Sequence, residues 1–297
     1  MSISTVPTGS GRSYLRLQAR ILMAPAILLL VVCAILPLLP TIYYSLIDYR
    51  LLASTSHDFV GAANYGRLIT DPGFLPAIGN TLMLNGLVLT ISILVGLGMA
   101  MLIDRVIVGR GLLRLLVISP FFVMPPVAAL IWKNLLMQPV AGLFAWVSSV
   151  FGAGAVDWFS TLPLVSISLI VAWQWVPFAC LVLLTSLQSF DREQREAAEL
   201  DGASSWAIFR YLTLPHLARP IAIVVMIETI FLLSLFAEIY VTTGGGRTTN
   251  NLAFLIYSQV MLQYDIGVAS AAGVVAVIFA NILALVMVRL VGRSLEA

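Results

Sequence analysis

An all-α integral membrane protein, a bundle of six spans with both termini on the cytoplasmic side, is the fold class that this 297-residue chain predicts. Three observations predict it. The side chains are 60% hydrophobic and only 10% charged, against roughly 45–50% and 25% in soluble domains, and the mean hydropathy is +1.02. Charge-poor stretches near the length that crosses a bilayer, about 20 residues, recur along the chain. The arginines gather in alternate connections, as positive-inside sorting requires.

Residues 1–20 read as a cytoplasmic lead carrying Arg12, Arg16 and Arg20. Span one runs from Ile21 to Ile47; it exceeds a signal-peptide core of about 7–15 residues and has no small-x-small cleavage site, so it reads as an uncleaved anchor. Span two lies in Pro72 to Ile103, from about Ile78, and ends at Asp104 and Arg105. Its glycines Gly86, Gly96 and Gly98 read as sites of close helix packing. Span three, Leu115 to Trp132, is short and interrupted by Pro120, Pro125 and Pro126. Span four lies within Trp158 to Phe190, span five is Ile221 to Val241 with Glu228 and Glu238 inside it, and span six is Ile266 to Val288. One further uncharged stretch, Asn134 to Val156, is also long enough to cross. With six spans, twelve of the sixteen basic residues fall inside; a seventh span would leave seven inside and nine outside, so this stretch reads as a re-entrant or interfacial element on the outer face.

Composition excludes several functions. A net charge of +2 without a basic run gives no footprint for nucleic acid. The one lysine, Lys133, follows no glycine loop, so the chain has no P-loop of its own. Cys33 and Cys180 lie in apolar runs and His57 and His216 are isolated, which excludes a disulfide framework or a metal cluster. An intramembrane enzyme lacks a Ser/His pair or paired carboxylates at suitable depth.

The long polar segment lies between spans four and five, within residues 189–219. Asp191 with Gln194 three residues on predicts a capping box, the stretch to Asp201 is rich in helix formers, and Gly202 suits a left-handed helix end. Ser204 or Ser205 caps a second helix, which Pro215 closes. Ala197 and Ala198 leave a low surface that another protein can approach, although a solvated connector has the same composition.

Within this loop, Glu196-Ala197-Ala198, three residues, Gly202, nine residues and Leu212-x-Leu214-Pro215 resemble the EAA motif of binding-protein-dependent ABC importer permeases. The departure is at Leu212, where the family usually has Ile. The arginine-rich lead, the proline-rich third span and Tyr240-x-x-Thr243-Gly244-Gly245-Gly246 extend the likeness to the larger-subunit type of maltose-family sugar permease. There the glycine segment usually reads T-x-G-G-P, and Arg247 stands near the expected proline. The segments Asn250 to Tyr257 and Asp265 to Ser270 look most like the polyol and monosaccharide branch.

The resemblance implies a six-span type I importer bundle in a bacterial or archaeal cytoplasmic membrane. It further implies a second, related permease, two ATPase subunits that hold ATP and Mg, and an extracytoplasmic protein that delivers a sugar or polyol. Glu196, Ala197, Ala198, Asp201, Gly202, Leu212, Leu214 and Pro215 would couple to the ATPase, with Glu196 as the main polar contact. By the same resemblance sugar contacts fall in Ser234 to Tyr240, which puts Glu238 and Ser234 on the pathway. Gly244, Gly245, Gly246 and Arg247 would form a loop that touches the delivery protein.

Ionisable groups inside a span need a partner or a wet cavity, which makes Glu228 and Glu238 candidates, Glu228 more for pairing between helices. On one continuous helix they would stand about 15 Å apart along the axis and about 80° apart around it, so they need not share a pocket. Gln174, between Trp173 and Trp175, is a candidate ligand contact. Asn85 and Asn281 could line the pathway or bond between helices. The competing function is an ion-coupled secondary transporter using Glu228, Glu238 or Asp104; the halves show no self-similarity, and the polar loop has no part in that scheme.

Overall fold

The computed structural model describes residues 9–52, 58–105, 109–246 and 248–296. His57, Arg247 and the first eight residues of the lead lie outside these ranges. Among the described residues five helices are long and apolar enough to cross a membrane, or six when one sharply bent pair counts as a single span.

Span one consists of α1 (Gly9–Ile35) and α2 (Leu38–Ser45). The apolar part of α1 contributes nothing to the interior: Leu22, Leu28, Leu29 and Leu30 are 66–78% exposed. Short α3 (Ala63–Thr70) leads into α4 (Phe74–Arg105), which at 32 residues is about 48 Å long.

The centre of the bundle is α4 against α9 (Pro163–Gln188). Gly96 makes their close approach possible, because a Cβ there would lie 2.9 Å from Ala179 Cβ and 3.0 Å from the Cys180 nitrogen. Gly86 and Gly98 meet no neighbouring helix of this chain, since the contact stripe with α9 turns past them along the helix. Leu84, Val88, Ile167, Val171, Leu232, Ile239 and Phe254 form the largest buried apolar cluster.

Span three breaks. Its first arm is α5 (Arg110–Ile118) with a 3₁₀ turn to Phe122, its second is α6 (Pro125–Ile131) with a π turn Trp132–Leu136, and the arms meet at 100°. Two successive prolines force Met124 into extended backbone (ψ 136°), so no helix can run through. Asn134 to Val156 does not cross as a helix: it holds α7 (Leu143–Val150), eight residues and about 12 Å, with Leu143, Trp146 and Val150 exposed. The single turn α8 (Trp158–Thr161) is separate, and the fourth span, within Trp158 to Phe190 as expected, is the helix that begins at Pro163.

Beyond the polar loop, with α10 (Arg192–Leu200) and α11 (Ser205–Ile208), the chain does not stop at Pro215. A π turn, Phe209–Thr213, carries it straight into α12 (Leu214–Leu232). The wider turn absorbs the missing proline N–H and its ring. Span five, in contrast, is not continuous to Val241. It stops at Leu232, and Glu238 sits on a separate short helix, α13 (Ala237–Thr242). Asn251 stabilises the break: its Nδ2 donates to the Leu235 carbonyl at 2.6 Å while its Oδ1 caps α14 (Leu252–Met261) by accepting from Phe254 N at 2.8 Å.

Span six is α15 (Ile266–Glu296). At its start Asp265 pairs with Arg67 (3.1 Å) and Arg50 (3.3 Å), and Arg67 also reaches Asp48 at 2.9 Å. Buried Asn64 donates to the Ser45 and Ile47 carbonyls at 2.8 Å. These groups tie the ends of spans one, two and six together at the end of the bundle away from the polar loop.

Candidate functional site

Helix α10 is built from local chemistry. Asp191 Oδ1 accepts from Glu193 N at 2.9 Å, so the cap forms one residue earlier than a box closed by Gln194 requires. At the other end Ala203 N donates to Ala198 O (2.9 Å), Gly202 N donates to Glu199 O (3.1 Å), and Gly202 has φ +80°. This is a Schellman closure, which places a left-handed residue where Gly202 stands. Ser204 then caps α11 by accepting from Ala207 N at 3.3 Å. Capped at both ends, α10 is a rigid rod on a short tether.

Its surface is open. Glu196, Ala197, Asp201, Gly202 and Pro215 are exposed, Ala198, Leu212 and Leu214 are half-buried, and Arg195 and Glu199 pair along the rod at 3.1 Å. Leu200 is 89% exposed, Tyr211 76% and Trp206 70%, an apolar rim beside the charges. Glu196 lines a polar cleft of about 570 Å³ together with Asp104, Arg192, Arg195 and Glu199. Residues 205–232 form one helical lever, about 42 Å long. His216 Nε2 lies 3.0 Å from Ser186 O, and buried Leu217 packs with Ala100, Ile103, Cys180 and Leu183, which joins the lever to α4 and α9.

Farther along the lever, Glu228 is fully buried and accepts from Ser92 Oγ of α4 at 2.6 Å; its Oε1 and the Thr229 hydroxyl have no partner among the described residues. The carboxyl is thus placed between two helices. Glu238 is buried on α13, which packs against α6 and α9. Gln174 does not reach an open cavity: its Nε2 donates to the Val123 carbonyl at 2.9 Å, at the break of span three. Asn85 Nδ2 bonds within its own helix to Thr81 O.

Two candidates do come together. Exposed Ser234 and Asn281 line one apolar groove of about 360 Å³ between α12 and α15, with Thr229 and Met226. Ser234 and Leu233 also line an adjoining groove of about 620 Å³ that runs on past Thr41 and Ser270. Gly244 (φ +66°) and Gly245 (φ +70°) both adopt left-handed backbone in the loop after α13, with Gly246 following.

The sequence reading missed Ser92 and Asn251, which serve Glu228 and the break in span five. It also gave Lys133 no role. Its Nζ donates to the Val241 and Thr242 carbonyls at 3.1 and 2.6 Å. The signal available was a single lysine inside an otherwise uncharged stretch.

Residues 89–297 match the family described as binding-protein-dependent transport system inner membrane component. A probable ABC transporter permease protein of Sinorhizobium fredii is 35% identical, over 94% of this chain and 93% of its own length. The trehalose/maltose transport system permease protein MalF of Thermococcus litoralis is 31% identical, over 92% of each chain. In fold, the chain is similar to one from a bacterial alginate ABC transporter in complex with alginate pentasaccharide-bound periplasmic protein: the TM-score is 0.72 at 23% identity, over 95% of this chain and 93% of that one.

Proposed function

Because the chain belongs to the family of binding-protein-dependent transport system inner membrane components, and so is a membrane permease of an ABC importer and not an enzyme, we propose that it supplies one half of a translocation pathway for a sugar or polyol. A second, related permease supplies the other half. Two ATPase subunits bind and hydrolyse ATP with Mg, and an extracytoplasmic binding protein delivers the solute. The names of similar proteins support the solute class, since they include a trehalose/maltose permease and an alginate transporter.

The observation that carries the coupling role is α10. It is a doubly capped, exposed rod bearing Glu196, Ala197 and Ala198, joined through Gly202 to a lever that extends to Leu232. On the cytoplasmic side such a rod would seat in a groove of the ATPase, and nucleotide-driven closure would swing the lever and rock the bundle between two openings. Asp201 and Gly202 shape the turn; Leu212, Leu214 and Pro215 set where the lever starts. Ser234 and Asn281 offer hydroxyl and amide groups among apolar walls, the composition a polyhydroxylated solute requires. Glu238 is the carboxylate we assign to the solute, able to accept from two neighbouring hydroxyls. Gly244, Gly245 and Gly246 form the loop offered to the binding protein.

The relatives lend no support to ion coupling through Glu228, Glu238 or Asp104. In vesicles holding the complete complex, uptake should cease on ATP depletion and persist with a protonophore; the opposite pattern refutes the proposal. Glu238→Gln should raise the half-saturating solute concentration about tenfold, the loss expected for one charge-assisted hydrogen bond. Unchanged saturation would remove Glu238 from the pathway.

A further inference from the structure

We propose that Lys133 is a positioning residue for the pathway: its ammonium group fixes the end of α13 and thereby places Glu238. Lys133 stands on the π turn that ends the second arm of span three, and its Nζ donates to the carbonyls of Val241 and Thr242 at 3.1 and 2.6 Å, 108 and 109 residues away in the chain. A π turn adds a residue to one helical turn and re-aims the side chains on it.

The carbonyls of α13 show why a cation is needed there. A helix leaves its last carbonyls without intrahelical donors and carries partial negative charge at that end. Glu238 O accepts from Thr242 Oγ1 at 2.5 Å, and Ile239 O accepts from Thr243 N and Gly244 N at 3.1 and 3.0 Å. Of the carbonyls after Ile239, Lys133 takes those of Val241 and Thr242.

Apart from its packing against α6 and α9, with Ile239 in the main apolar cluster, little in the helix's own backbone defines its position. It is six residues long, far below the length at which an isolated helix persists. Non-helical backbone bounds it on both sides, the break after Leu232 and the left-handed Gly244 and Gly245. Glu238 lies one turn before Thr242, so a shift at the held end moves the carboxylate directly. Lys133 is thus the link through which the bent third span sets the register of the detached half of span five.

This inference rests on Glu238 contacting the solute, and the experiment separates the two claims. The complete complex is reconstituted with ATP and its binding protein, radiolabelled trehalose, maltose and sorbitol are offered, and the one carried fastest by the wild type is the probe. Lys133→Met should raise the half-saturating concentration about tenfold and change the maximal rate less than about twofold. Lys133→Arg, which keeps the cation, should restore saturation, and Lys133→Met combined with Glu238→Gln should be no worse than the more impaired single variant. If Glu238→Gln impairs saturation and Lys133→Met does not, the positioning role is refuted while the solute contact stands. Multiplicative losses in the double variant refute it as well. An inert Glu238→Gln removes the contact and this inference together. Should Lys133→Met fail to assemble, Lys133→Gln, which donates without charge, takes its place under the same criteria.

Discussion

Glu196→Lys will abolish solute-stimulated ATP hydrolysis by the assembled complex while leaving the permease folded in the membrane. The side chain is exposed on α10 and lines the polar cleft with Arg192 and Arg195, so the substitution puts a third cation where the family motif supplies an anion. Little of the fold depends on it. Lysine is as good a helix former as glutamate, Asp191 and Gly202 still close both ends of the rod, and a new like-charge neighbour at Arg192 costs only a few tenths of a kcal/mol. The loss should therefore appear in coupling and not in yield or assembly. Normal stimulation in a correctly assembled Glu196→Lys complex would remove this residue from the ATPase contact.

The second large effect falls on Gly245. Its φ of +70° already disfavours any other residue, and a Cβ there would enter the ring of Phe254, with Cδ1 at 2.5 Å. That ring cannot simply swing away. Phe254 is 4% exposed in the main apolar cluster and packs against Phe236 and Tyr257 at centroid distances of 5.8 and 5.6 Å. Gly245→Ala should cost about 2–4 kcal/mol, overpacking and backbone strain together. Gly244→Ala meets open space and bears the backbone strain alone, about 1–2 kcal/mol. Thermal unfolding of the purified permease should show a larger fall in midpoint for Gly245→Ala than for Gly244→Ala. Equal falls would mean that the ring contact does not hold this loop.

What the sequence disclosed depended on the range of the interaction. The caps of α10 and α11 lie within three or four residues of what they bind, so Asp191, Gly202 and Ser204 could be read directly, with only the Gln194 half of the box missing. The spans were legible because hydropathy is summed over a long window, and Pro125 and Pro126 announced the break in span three. Its 100° angle was not legible, because Gln174, 51 residues on, is what holds the Val123 carbonyl at the corner.

Span five failed for the same reason in stronger form. Leu232 to Val241 contains no proline or glycine, and the amide that stabilises the break comes from Asn251. A continuous helix was the natural reading, and the spacing of Glu228 and Glu238 derived from it does not apply. Of the pathway candidates, Ser234 and Asn281 share a groove, whereas Glu228, Glu238 and Gln174 are each buried with a different set of neighbours. Packing between distant segments decided that division, as it decided that Gly96 and not Gly86 or Gly98 receives a neighbouring helix.

The central claim is mechanical, that α10 and its apolar rim sit against the ATPase. A photoreactive amino acid in place of Leu200, which is 89% exposed at the end of the rod, tests it in the complete complex in native membranes. The predicted result is a crosslinked product containing this chain and the ATPase subunit. Crosslinking to the extracytoplasmic binding protein, or to lipid alone with the ATPase present and active, would contradict it.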